Sequence, residues 1–517
     1  RPDAAPWYEG LLTVLGGISA YIDAHAAAAE QAARDAGSPQ RRAELEGIEY
    51  VCRHVAHRPP ESFQQALQLF YLLFSLGGHD SPGPMDRYLY PALRHDLDAG
   101  ILTRAQAQEL LDCLYLKLAD KICYGATLGG QLPDGRDASN ELSLMCVDSI
   151  RRLRLLSPRT ALRWHRGLSR TLLDATVDSI ASGATFPALV NDEAVIPAMV
   201  ARGVKLEHAR EYTFVGCGQV YPHGRGHGSY EDVVINSAKP LEFALNDGVD
   251  PMTGERQGPA TGAPEMLTTW EAFEAAYRAQ MSAHIAGQIG RVNARRAAGV
   301  GHAVDYIRSL LSWSCVERGL DWHAGGTDYS EGMVDMVGLT TVTDSLYAIR
   351  TAVYDEQRLT LAELVRILNA NWEGHETLRQ YLLKQINKFG NGSDDADART
   401  AAEVARINEE IKTYRTVFCG PWGMDIIGWS GSVIYGEQTG ATPDGRRRAE
   451  ALADCAGPAQ GRNTRGIAPT LEATLRLPHC AAHGPMALSL RFPPHAVRGD
   501  DGHAALRAAI ETYFQGG

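Results

Sequence analysis

The sequence predicts an α/β fold with a largely parallel sheet. Strong helical patterns recur along all 517 residues, and short apolar or β-branched runs fall between them, ending in glycine or polar clusters. No internal repeat and no long low-complexity linker divides the chain. Helices alternating with short strands can cover a parallel sheet on both faces. In such folds the chemistry sits on loops at strand ends.

The elements follow in chain order. "PPESFQQALQLFYLLFSLGG" predicts a buried helix from about Glu61 to Leu76, stopped by Gly77-Gly78. Thr103 with Gln106 three residues on has the spacing of a capping box and opens a second helix. In that helix Cys113 shares its spacing with Leu110, Leu114 and Leu118, which predicts a buried, inert thiol. "YTFVGCG" reads as a strand that stops at glycine. Thr268 with Glu271 and Thr360 with Glu363 repeat the capping device. "GNGSDDADART", Gly390 to Thr400, is the most linker-like stretch and is expected to be a surface loop. "MDIIGWSG" and the alternating "MALSLRF", Met486 to Phe492, read as further strands.

Composition bounds the function. Apolar residues make up 44% and charged residues 22%, the profile of an ordinary globular protein with a large core. A formal net charge of -12 argues against a general nucleic-acid or anionic-membrane surface. The run Arg446-Arg447-Arg448 is too short to change that and reads as a solvated turn or ion-pair partner. Nine cysteines with no C-x-x-C suggest neither a disulfide framework nor a metal site, and point to a reducing cytoplasm. The sequence reading finds no membrane-spanning run and no signal peptide. The chain opens "RPDAAPWYEG" without an initiator Met, so a fragment or processed chain is expected.

The strongest local signal is "EYTFVGCGQVYPHGRGHG", Glu211 to Gly228. Cys217 follows a strand-like run and stands between Gly216 and Gly218. Glycines permit a tight turn and close backbone approach, so such a thiol can be presented into a cavity. His223 and His227 are candidate bases to make a thiolate. Their spacing also imitates a metal pair, but the glycine-rich run is no helix, which favours loop histidines. "GRGHG" lacks the features of a phosphate loop. From residues alone, two readings stand: a cysteine hydrolase or transferase, and a binding or structural domain.

Several segments, taken in order, resemble one family. "SPGPMDRYLYPALRHDLDAGILT", "GGQLPDGRDASNELSLM", "FPALVNDEAVIPAMVARGVKLEHAREYTFVGCGQ", "CVERGLDWHAGGTDYS", "DSLYAIRTAVYDE" and "GATPDGRRRAEALADCAGPAQG" resemble the glycyl radical enzymes of the pyruvate formate-lyase and diol-dehydratase group. The resemblance implies a barrel of two parallel half-sheets wrapped in helices, with the cysteine loop inside and all of 1–517 in one domain. It implies that Cys217 becomes a thiyl radical by losing hydrogen to a glycyl radical, which needs a neutral thiol in a dry cavity. No base at fixed spacing is then required. A lyase or dehydratase acting on a small polar metabolite is the expected activity. Other radical chemistry, or a silent barrel that only binds, is the alternative. An activating enzyme with S-adenosylmethionine and an iron–sulfur cluster is the implied partner, and a homodimer is common in the family. No metal is expected in the barrel.

The sequence departs from the family in three places. Gln219 stands where the dehydratases carry the glutamate of Cys-x-Glu; an amide orients a substrate but accepts no proton. The resemblance sets Glu231 near a carboxylate that lines the dehydratase pocket, which implies a share in the proton work; a plain surface glutamate is the alternative. Pro84 replaces an arginine in "SPGPMD", while Ser81 remains a candidate pocket residue. His165, on a predicted barrel strand, reads as a satisfied core histidine. The radical motif R-V-x-G-Y/F is absent: "GRVNARR", Gly290 to Arg296, has no glycine in the right place. Truncation at both ends is expected, with the radical glycine downstream or on another chain, so that this chain alone is inactive.

Overall fold

A computed structural model describes residues 4–77, 81–121, 123–228 and 232–516. Two parallel half-sheets organise it. The first contains β1 (Ala126–Gly129), β2 (Thr160–Trp164) and β3 (Ala188–Asn191), in that order, with Leu128 opposite Leu162 and Leu162 opposite Leu189. The helices Glu141–Leu153 and Arg170–Ala181 supply its crossovers. Between the half-sheets lies an antiparallel hairpin of β4 (Tyr212–Val215) and β5 (Gln219–Pro222). The short β6 (Gly226–His227) follows, then β7 (Val233–Asn236). β8 (Tyr329–Ser330) pairs with β6. The second half-sheet runs in the order β10 (Trp422–Asp425), β9 (Gly332–Val337), β7, all parallel. Helices cover both sheets. The larger core gathers Val334, Met336, Met424 and Ile235 with Phe273, Tyr277 and Ile285 of the helix Trp270–Gly299. The smaller places Leu128 and Leu162 against Leu111, Leu114 and Leu142.

Most expected elements form. The first predicted helix runs Phe63–Ser75 with Ser62 as its cap. Thr103–Gln106 and Thr360–Glu363 both close full capping boxes. Four expectations are corrected. The cap of Trp270–Gly299 is Thr269, one residue after Thr268, and it accepts from the Ala272 N–H. Cys113 is exposed, because the buried stripe of its helix runs through Leu111, Leu114 and Leu118. The linker-like stretch is mostly helix: Ser393 caps Asp394–Ile411, and Asp394, Asp395 and Asp397 sit at the positive end of its dipole. "MALSLRF" is not a strand. Only Met486 bridges, to Ile426 just past β10, since no further strand offers it a ladder.

The arginine run divides. Arg446 is buried and donates to the carbonyls of Gly436, Thr439 and Glu450, while Arg447 pairs with Glu376. Among the described residues one helix, Ala5–Arg34, is long and apolar enough to cross a membrane by length and composition alone, contrary to the sequence reading. It packs on the helix Pro39–Val55 as a hairpin, burying Ile22 and Ala26 against Cys52 and Val55. Arg53–Glu30 at 2.7 Å and His57–Asp23 at 2.9 Å tie the two together.

Candidate functional site

Cys217 sits at the tip of the β4–β5 hairpin. Val215 and Gln219 close the ladder, leaving Gly216, Cys217 and Gly218 as a three-residue loop. Gly216 takes a left-handed φ of 58°, a conformation glycine adopts without steric cost. Cys217 as a residue is partly exposed.

Each strand of the hairpin is fixed to a different half-sheet. On the β4 side, the Phe214 N–H donates to Thr127 Oγ1 at 3.0 Å, and Thr127 and Thr213 hydroxyls meet at 3.0 Å. Gly125 passes so close that a Cβ there would lie 2.4 Å from the Phe214 carbonyl oxygen and 2.9 Å from Val215 Cα. On the β5 side, Gln219 is fully buried and donates Nε2 to Asp425 Oδ2 on β10 at 2.8 Å. A Cβ on Gly218 would touch Ile427 Cδ1 at 2.9 Å, so the loop also lies on the segment after β10. Asp335, beside Asp425 in register on β9, accepts from Ile427 N and Trp429 Nε1, both at 3.1 Å, and holds that segment in place. The cysteine is therefore held at the seam between the half-sheets.

Two polar side chains among the described residues bond to the tip. Ser81 Oγ accepts from the Gly216 N–H at 3.3 Å. Arg159, just before β2, donates Nη1 to Cys217 Sγ at 3.3 Å while its guanidinium lies 4.5 Å from the centroid of the Tyr124 ring. A guanidinium donates and takes no proton, so this neighbour of the thiol is a cation.

The histidines stand apart from this. His223 lies at the far end of β5, roughly 13 Å of extended strand from the tip. Burial and the charge of Arg87 push its pKa down to about 4. His227 stacks on Trp322 at 3.8 Å, and burial pushes it down to about 3. Neither is placed to deprotonate Cys217. Among the described residues no cluster of three metal-ligating side chains occurs. His165 bonds Asp137 at 3.1 Å and accepts from Gly167 N, a satisfied histidine as the sequence suggests.

Of the residues singled out in the sequence, Ser81 and Cys217 come together. Gln219 shares the hairpin but turns its amide into the interior. Glu231 lies outside the described residues. The motif residues around them brace the frame. Buried Asp86 accepts from Gly129 N at 2.8 Å and Ser143 Oγ at 2.6 Å, joining "SPGPMD" to "DASNEL". Arg163 and Asp192 form a fully buried bidentate pair at 2.9 and 2.8 Å, and the Tyr212 hydroxyl donates to Asp192 at 2.7 Å, locking β2, β3 and β4. Sequence reasoning missed Arg159 and Asp425. For Asp425 a signal exists: an acid inside the apolar run "MDIIGW" is rarely buried unless it has a partner. For Arg159 nothing local distinguishes it from a surface arginine.

Comparison with known proteins places this arrangement in context. A family model described as pyruvate formate lyase-like matches residues 2–436. The chain is 29% identical over 546 residues to (2S)-3-sulfopropanediol dehydratase of Klebsiella oxytoca, covering 99% of this chain and 65% of that protein. The chain thus spans just under two thirds of the length of that curated relative. A structure solved for 1,2-propanediol dehydration in Roseburia inulinivorans superimposes with a TM-score of 0.95 at 31% identity, covering 99% of this chain and 68% of the other. A glycyl radical enzyme from Archaeoglobus fulgidus gives 0.89 at 28% identity, over 97% of this chain and 66% of that one.

Proposed function

Because the chain belongs to the pyruvate formate lyase-like family of glycyl radical enzymes, we propose that it is the barrel of a radical lyase or dehydratase acting on a small polar metabolite, with Cys217 as the hydrogen-transferring thiol. The observation that carries this is the seam position of Cys217: a partly exposed cysteine on a glycine-flanked tip, clamped from both half-sheets. In this reading all 517 residues form one barrel domain.

The tip fits a radical partner. With glycine on either side and Gly125 behind, no Cβ shields the sulfur's own loop, so a second loop can approach it closely. A glycyl radical supplies abstraction of the thiol hydrogen. The chain's own residues do the rest. Ser81 and Arg159 fix the loop and the sulfur, so that little reorganisation remains at the moment of transfer. A second loop closing over the tip would exclude water and oxygen from a reactive sulfur. Gln219, an amide, leaves proton acceptance to other groups; in this reading Glu231 takes that part. An activating enzyme using S-adenosylmethionine and an iron–sulfur cluster, a homodimeric assembly and a reducing cytoplasm belong to the same reading.

The test is anaerobic activation of the full-length protein followed by electron paramagnetic resonance and turnover. A glycyl doublet with turnover that vanishes in Cys217→Ser is the expected result. Undiminished turnover in that variant sinks the role given to Cys217.

A further inference from the structure

Among the described residues, the arginines packed around the seam are met by carboxylates or backbone carbonyls, with one exception. Arg163 is paired with Asp192, Arg202 with Glu331 at 2.7 Å, Arg296 with Asp232 at 2.7 Å, and Arg87 donates to the carbonyls of Gly129 and Gln131. Arg159 has no carboxylate partner among the described residues. Its side chain makes one hydrogen bond, to Cys217 Sγ, and lies over Tyr124. The residue is half-buried, and its backbone is fixed on both sides by Cys123 and Ala126, which extends the β1–β2 ladder to its position.

A half-buried guanidinium keeps its charge at any physiological pH and seeks an anion. Nη1 is turned to the sulfur, which leaves the other N–H groups of the fork without a protein acceptor among the described residues. A fork of that shape matches two oxygens of a carboxylate or sulfonate. The stacking on Tyr124 fixes the plane of the fork, so less freedom is lost when an anion binds. With a formal net charge of -12, the protein offers no general attraction for anions, so recognition must come from such a local cation.

We infer that Arg159 is a substrate-binding residue, and that the metabolite carries a carboxylate or sulfonate held beside the Cys217 sulfur. This rests on the reading of Cys217 as the reacting thiol. It narrows "small polar metabolite" to an anionic one, with the reacting carbon within a bond or two of the oxyanion.

The experiment needs no radical. The rate of Cys217 alkylation by iodoacetamide is measured in the purified chain by peptide mass spectrometry, in a low-chloride buffer, with exposed Cys113, Cys419 and Cys480 as internal references. The probes are lactate and 2-hydroxyethanesulfonate, with neutral 1,2-propanediol as the comparison. Saturating anion is expected to slow Cys217 alkylation about fivefold or more, by occupying the space over the sulfur. The neutral diol should do markedly less. Arg159→Gln changes the basal rate, so each variant is compared with itself. The ratio with and without anion should fall to about one in Arg159→Gln and recover in part in Arg159→Lys. Lack of protection by either anion, equal protection by the neutral diol, or protection that survives Arg159→Gln each overturns the inference. The wild-type comparison stands even where a variant fails to fold. Turnover that persists in Cys217→Ser would sink the radical reading while leaving anion binding measurable, so the two fail separately.

Discussion

Gln219 on β5 and Asp425 on β10 meet in a hydrogen bond of 2.8 Å, both side chains fully buried. A carboxylate accepts and does not donate, so the amide must present its nitrogen to Asp425. The carboxylate of this pair stands on β10, in the second half-sheet.

Replacing Gln219 by Glu should therefore set two buried carboxylates against each other. They cannot both ionise at that distance, and one is held protonated at neutral pH. Gln219→Glu should lose about 3 kcal/mol of stability at pH 8, and lose less at pH 5, where a proton is easily bound. The double variant Gln219→Glu/Asp425→Asn restores one amide and one acid and should recover most of the loss. Denaturant melts of the two variants at both pH values check this; additive losses would contradict it.

The Ser81 hydroxyl accepts from the Gly216 N–H at the tip. Ser81→Ala should cost about 1 kcal/mol and act locally. Hydrogen exchange at Gly216 to Gly218 should speed up while the half-sheets keep their protection. Unchanged exchange at the tip would show that the hydroxyl does not hold the loop.

Gly125 and Gly218 differ in what stands beside them. A Cβ on Gly125 would meet hairpin backbone at 2.4 Å and must also take a φ of 68°, whereas on Gly218 it would meet the end of the Ile427 side chain. Backbone cannot step aside, but an isoleucine terminus can turn. Gly125→Ala should destabilise by about 3 kcal/mol or more, and Gly218→Ala by about 1 kcal/mol. Equal thermal shifts in the two variants would refute the argument.

His227 is buried and neutral, with a pKa near 3 set first by burial and then by the charge of Arg296. Its unfolded value is about 6.5. Between those limits the unfolded chain binds a proton that the folded one does not, so stability falls as pH drops from about 6.5 toward about 3. Above 6.5 the residue adds no pH dependence. His227→Phe keeps a ring over Trp322 and should flatten the acid limb by a contribution on the order of 3 kcal/mol. Melting temperatures from pH 4 to 8 read this, and an unaltered slope in the variant would count against it. His483, also buried and pushed well down by burial, retains part of the slope.

Much of the architecture is legible in local pattern. Thr103, Gln106, Thr360 and Glu363 act within single turns, so their spacing alone specifies two helix starts. Where a cap competes with a neighbour, as Thr268 does with Thr269, spacing leaves a one-residue ambiguity that packing resolves. Cys113 shows the same limit. Leu110 and Leu111 offer two adjacent stripes, and the facing helices Phe63–Ser75 and Glu141–Leu153 decide which is buried.

The chain by itself determined the thiol's setting: a strand, two glycines and a cysteine make a tip wherever they fold, because the conformational demand is met within three residues. It also determined the order of motifs, and with it the family. What surrounds the tip was decided only by tertiary structure. Arg159, Gln219 and Asp425 come from a loop before β2, from the hairpin and from the second half-sheet, 58 residues from Cys217 in one case and 206 from Gln219 in the other. Sequence periodicity carries no information over such separations. Contacts between distant strands exist only once both half-sheets have closed around the hairpin, and that closure sets a cation on the sulfur and a carboxylate behind the amide.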